Sequence, residues 1–149
     1  MANNDNPNGF KALGHKPRLS AYTAKDATDI ERGDLLAIVS GRVLPWLETP
    51  HTDAVGVAAT AATGGDEVLV YDDPTTEFYG QTAGSYAPTS HDGLAVDATG
   101  TTGEMEVHQG STTKAVVVIK RQYLGEAGST DTGANARVVF QINKHALVA

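Results

Sequence analysis

The 149-residue sequence predicts an all-β fold: a compact β-barrel or sandwich-like domain of short antiparallel strands with an extended N-terminal arm. Three observations predict it. Apolar residues alternate with a period of two in one segment after another, and no segment carries a convincing helical period. Sixteen glycines and six prolines punctuate those segments at short intervals. Residues 1–17 hold little that a core could use, so by composition they form an arm, and residues 18–149 form the β-rich domain, open to division into subdomains at 18–81 and 82–149.

Taken in order, the arm is rich in Asn, Pro and Gly, with Phe10 and Leu13 as its apolar exceptions. Isolated anchors of this kind suit a segment that orders on a partner surface, although Phe10 folding back on its own domain fits the same residues. Arg18 to Thr23 reads as a first strand. Gly33 then turns the chain into IERGDLLAIVSGRVLPW, the stretch on which the rest is organised. Leu35, Ala37 and Val39 oppose Leu36 and Ile38, Ser40-Gly41 reverses the chain, and Val43-Leu44 begins the return strand of a β-hairpin. Pro45 has no N–H to continue the ladder, and Trp46, the one indole, suits the end of a small core.

Further strands follow at Ala54–Ala59, with Val55 and Val57 on one face, and at Glu67–Asp72, with Val68 and Val70 opposite Leu69 and Tyr71. A Thr/Ala/Gly linker separates the two. Asp73-Pro74 breaks the chain before Glu77–Gln81, where Phe78 and Tyr79 take opposite faces. Thr82 to Gly93 reads as a long loop and Leu94–Asp97 as a marginal strand. Glu104–His108 alternates, Lys114–Leu124 is the longest β run, and Arg137–Asn143 closes the fold with Val138, Phe140 and Ile142 inward.

Composition excludes several functions. The formal charge of -7 and scattered basic residues, with Lys120-Arg121 the one adjacent pair, lack the footprint of a nucleic-acid binder. No cysteine is present, which removes disulfides, thiolate metal sites and cysteine nucleophiles, and suits a reducing cytosol. No run approaches the roughly 20 apolar residues of a membrane helix, and the N-terminus has no apolar export region, so neither membrane nor nucleic acid is an expected partner.

Motifs for chemistry are equally sparse. His15, His51, His91, His108 and His145 lie in no metal-ligand spacing and read as solvated loop or edge residues. Asp72-Asp73 is the most tempting carboxylate pair, but adjacent strand residues point to opposite faces and Pro74 makes the pair read as a turn. Serines occur in no GxSxG context, no phosphate-binding glycine loop is present, and the Arg32-Gly33-Asp34 tripeptide is explained by the turn at Gly33. No enzyme activity, cofactor or metal is expected.

The blocks MANNDNPNGFKALGH, IERGDLLAI with GRVLPW, AVGVAA, VLVYDDPTTEFYGQ and GANARVVFQINKH follow one another along nearly the whole chain. In that order the sequence resembles the small capsid decoration, or cement, proteins of tailed bacteriophages, with the weakest match over Thr82 to Thr113. The resemblance implies a protein made in the bacterial cytoplasm that binds the outside of the expanded head. There it would bridge subunits of the major capsid protein and associate with itself, as a trimer rather than a dimer. It also implies an arm running along the capsid, which maps onto Asn6, Pro7, Asn8, Gly9, Phe10, Lys11 and Leu13. A carbohydrate-binding or host-adhesion module on a virion is the alternative, and it would require exposed aromatic side chains.

Overall fold

In the computed structural model, residues 9–14, 17–48, 51–123, 133–134 and 136–147 are described. The strands in the first half of the chain are β1 (Lys11–Ala12), β2 (Leu19–Thr23), β3 (Asp29–Ile30), β4 (Leu35–Val39), β5 (Arg42–Pro45), β6 (Gly56–Ala58), β7 (Ala62–Thr63) and β8 (Glu67–Tyr71). They are followed by β9 (Glu77–Gln81), β10 (Ser85–Tyr86), the one-turn helix α1 (Pro88–His91), β11 (Ala95–Thr99), β12 (Glu106–His108), β13 (Val117–Gln122), β14 (Gly133–Ala134) and β15 (Arg137–Ile142). The all-β expectation therefore holds. Helix α1 interrupts the expected long loop, starting on Pro88, whose missing N–H costs nothing in a first helical turn.

Two sheets account for most of the chain. The first has the order β2-β8-β6-β4-β5. Just past β2, Ala24 bridges to Val43 of β5, and the Lys25 N–H donates to the Val43 carbonyl at 2.8 Å, so the two edges meet and the sheet closes into a small barrel. The second has the order β1-β9-β15-β13-β11-β12, and it curls in the same way. Thr82, just past β9, bridges to Val107 of β12, and the Ala83 N–H donates to the Val107 carbonyl at 2.8 Å. Such closure removes most of the unpaired edge that a sheet would otherwise present. The sheets divide between Tyr71 and Glu77, not after residue 81, and residues 9–14 join the second sheet instead of standing apart.

The hairpin of β4 and β5 is the wall between two cores. Ser40 and Gly41 both adopt positive φ, 52° and 78°, the two-residue turn whose twist matches the flanking strands. Its register pairs Leu36 with Pro45, Ala37 with Leu44, Ile38 with Val43 and Val39 with Arg42. Leu36 and Val43 face the barrel interior together with Ile30, Val55, Val68 and Val70. Leu35 and Ala37 face the other way, into a larger core with Trp46, Phe78, Tyr86, Met105, Ile119 and Phe140. Both faces of β4 are thus buried at its start, although the alternating pattern of a half-exposed strand leaves one face wet.

Two strand readings change in the folded chain. Val55 and Val57 serve different cores, the barrel and the larger one respectively, because regular pairing begins only at Gly56. The marginal strand becomes β11, an interior strand between β13 and β12, because Val96 and Ala98 reach the larger core. Its weak local signal is outweighed by tertiary packing.

Candidate functional site

Of the segment expected to contact a partner, residues 11–13 are built into the second sheet. Gly9 sits at φ 76°, where a side chain is strained, and a Cβ there would lie 2.9 Å from the Gly33 carbonyl oxygen. The Phe10 N–H donates to that same carbonyl at 2.8 Å. β1 then pairs with β9, Lys11 opposite Tyr79 and Ala12 opposite Phe78, and the Leu13 N–H donates to the Glu77 carbonyl at 2.8 Å.

The Phe10 ring enters the larger core, 2% exposed, edge-on to Phe140 with centroids 4.7 Å apart. Gly80 makes room for it: a Cβ on Gly80 would stand 2.4 Å from the Phe10 Cδ1. Phe10 is therefore a core residue and not a free anchor, the second of the two readings that the sequence leaves open at that position. The energetic reason is that burying an aromatic ring in its own domain needs no partner and offsets the ordering of a short segment. Gly9 is likewise buried, Lys11 is exposed and Leu13 half-buried, while Asn6, Pro7 and Asn8 lie outside the described residues.

Beside this segment lies an open polar cleft of about 410 Å³, lined by Leu13, Pro17, Arg18, Asp73, Glu77 and Gln141 among others. Asp73 lines it, and Asp73 and its chain neighbour Asp72 behave differently. Asp73 accepts from both the Thr75 N–H, at 2.9 Å, and the Thr75 hydroxyl, at 2.7 Å, an Asx turn of the expected kind. Those bonds hold its carboxyl below the ordinary value.

Asp72 is more than a turn residue. Its carboxylate is 3% exposed and accepts from Arg18 Nε at 3.0 Å, the Ser20 hydroxyl at 3.0 Å and the Tyr22 hydroxyl at 2.7 Å. Burial pushes its pKa up, but the bonds from Tyr22, Ser20 and Arg18, with the charge of Arg18, outweigh burial and hold it below the ordinary carboxylate value. The Tyr22 hydroxyl is pushed up to about 12, first by burial and then by Asp72. The two carboxylates point apart, as neighbours on a strand do, and the first closes β2 onto β8, which the turn reading does not foresee.

Two further buried carboxylates escaped sequence reasoning. Asp34, fully buried, accepts the Glu31 N–H at 2.9 Å, the Gly103 N–H at 2.8 Å and the Thr102 hydroxyl, tying the hairpin entry to the loop before β12. The Arg-Gly-Asp tripeptide thus has an inaccessible carboxylate. Asp97 accepts the Lys114 and Ala115 N–H groups, each at 2.7 Å, and the Ser111 hydroxyl at 2.8 Å. Burial raises its pKa, and the Ala115 amide, Ser111, Glu48 and the Lys114 amide together lower it below the ordinary value. An aspartate amid apolar strand residues, as in LAVDAT, is the only sequence signal that marks such a site.

On the outer face of the second sheet Tyr79 and Tyr123 stack with centroids 4.0 Å apart and planes 1° from parallel. Lys11 lies 5.9 Å from the Tyr79 ring centroid and Arg137 5.3 Å from that of Tyr123, so cations flank the pair. Arg121 reaches Glu77 through two bonds of 3.1 Å on the same face.

The histidines are placed individually. His51, His91 and His108 are half-buried, and His145 is buried at 6% exposure, which corrects its reading as a solvated residue. His15 lies outside the described residues. Among the described residues no three His, Asp, Glu or Cys side chains are grouped to hold a metal ion, and no helix is long and apolar enough to cross a membrane. No protein-family model and no curated protein sequence matches the chain.

Proposed function

We propose that this chain is a structural head decoration protein of a tailed bacteriophage, bound to the outside of the expanded capsid and stabilising it by bridging major capsid protein subunits. The observation that carries the reading is the ordered series of sequence blocks running nearly the length of the chain. Those blocks fall on the hairpin, on β6, on β8 with β9, and on β15, the elements that wall both cores. The polar chemistry supports a structural role. Asp34, Asp72 and Asp97 are each saturated by donors of the chain itself and join segments distant in sequence.

With Phe10 internal, the described residues of the expected contact segment that stay accessible are Lys11, which is exposed, and Leu13, which is half-buried. Self-association as a trimer remains part of the proposal, as does a location on the virion after synthesis in the bacterial cytoplasm. The adhesion alternative is disfavoured at the aromatic pair on the second sheet, because the ring faces of Tyr79 and Tyr123 are taken by each other and by flanking cations.

Titrating the protein onto expanded shells stripped of decoration, with sedimentation as the readout, tests the proposal. Saturable co-sedimentation that weakens in Lys11→Glu is the expected result. Absence of binding to shells, with retention on a glycan array, would replace it with the adhesion reading.

A further inference from the structure

Residues 143–147, which follow β15 of the second sheet, meet Ala54, which lies just before β6 of the barrel sheet. The Asn143 N–H donates to the Val116 carbonyl at 2.7 Å, the Ala54 N–H to the Lys144 carbonyl at 2.9 Å, and the Ala146 N–H to the Ala54 carbonyl at 2.8 Å. Ala54 is fully buried, and Ala146 packs on the barrel core. Each of the two segments that meet here is held by a histidine in the same way. The Leu47 N–H donates to His51 Nδ1 at 2.9 Å, and the Leu147 N–H donates to His145 Nδ1 at 3.1 Å. We propose that this junction, where Leu47 and residues 51–54 meet residues 143–147, is an acid-opened latch, closed only while His51 and His145 are neutral.

The reason is the inventory of the imidazole ring. A nitrogen that accepts a backbone N–H carries no proton, so each neutral ring keeps its proton on Nε2. In the imidazolium both nitrogens are donors, and Nδ1 then points a proton at the amide it had accepted. At His145 the charge would also arise in a site only 6% exposed; Nε2 has no hydrogen-bond partner among the described residues, and although the backbones of Asp72 and Val55 favour the charged ring, burial outweighs them.

The surrounding charges do not cancel this cost. His145 faces Asp72, but also Arg18, and the Asp72 carboxylate is already bound by Arg18, Ser20 and Tyr22. His145 also lowers the carboxyl of Asp73 nearby. Of the charges near His51, Asp53 favours its protonated form and Lys25 opposes it. Glu48, on the same turn, is engaged by Ser111 at 3.3 Å and lies 3.6 Å from His108 Nδ1.

Both rings are held below the ordinary histidine value, chiefly by burial. A depressed folded value means that the open form binds protons more readily. The stabilisation is accordingly present above about pH 6.5, the unperturbed value, and is lost as pH falls below it.

Trp46 abuts the first segment and is the only indole, so its emission reports on the junction. The expected result has three parts. Nitrogen-detected NMR at pH 7.5 shows the Nε2–H tautomer at His51 and His145. At pH 5, amide exchange at Ala54, Ala146 and Leu147 is faster than the intrinsic change of exchange rate with pH accounts for, and Trp46 emission moves over the same range. His51→Asn with His145→Asn sets a non-titrating oxygen where each Nδ1 stood and flattens the response. An Nδ1–H tautomer, unchanged exchange at pH 5, or a double variant that opens at the parent midpoint would overturn the latch. Should the double variant not fold, the tautomer and exchange of the natural protein decide.

Discussion

The two cores are made of different residues. The barrel interior holds Ala, Val, Ile and Leu, with Tyr22 packed partly against it, whereas the larger core holds all three phenylalanines, Trp46, Tyr86 and Met105. A five-stranded barrel encloses little space, so side chains of modest volume fill it and an aromatic ring would strain it. The space outside the barrel and inside the curl of the second sheet is wider, and it recruits residues from distant segments: Phe10 from the N-terminal segment, Trp46 from beyond the hairpin, and Met105, whose sulfur accepts the Leu35 N–H at 3.1 Å. Local strand order thus suffices for one core, and long-range assembly is needed for the other.

The sharpest test of that contrast is the aromatic cluster. Phe10→Ala is expected to cost about 3–5 kcal/mol in urea unfolding, through lost transfer energy and a residual cavity. Phe10→Ala and Phe140→Ala should be non-additive, because the rings touch. Stability equal to the parent in Phe10→Ala would return the segment to the status of a loose arm. Gly80→Ala should mimic the loss, since its methyl would displace the Phe10 ring.

Next in size is the hairpin wall. Leu35→Ala and Leu36→Ala are each expected to cost about 2–5 kcal/mol, but on opposite faces. Leu35→Ala should alter Trp46 emission and Leu36→Ala should leave it unchanged; the same spectral change in both would break the division into two cores. Ile38→Ala should cost less than Leu36→Ala, as Ile38 only partly enters the barrel core.

Buried carboxylates come third. Asp72→Asn is expected to cost about 1.5–3 kcal/mol, the range for hydrogen bonds to a charged group. Because the folded pKa values of Asp72 and Asp97 are depressed, their stabilisation is present above about pH 3.9 and disappears as pH falls through the lower folded values. Acid titration of the melting temperature should therefore show a steep fall below pH 4 that is shallower in Asp72→Asn. Smallest is Asp73→Asn, expected within about 1 kcal/mol because asparagine sustains the same turn; a larger loss would give Asp73 a role beyond it.

The sequence by itself determined the class of the fold, the hairpin and its turn, the alternation of faces along β8 and β9, the inward face of β15, and the Asx turn at Asp73. Each of these rests on residues adjacent in the chain, where alternation, glycine and proline act directly on the backbone. Only the tertiary structure decided where Phe10 goes, since an isolated phenylalanine in a polar segment reads alike whether it meets its own domain or another. It also decided that Val55 and Val57 part company, that β11 is interior, and that Asp34, Asp72, Asp97 and His145 are buried. The physical reason is common to all of these: burial and charge state depend on partners tens of residues away, which periodicity cannot encode.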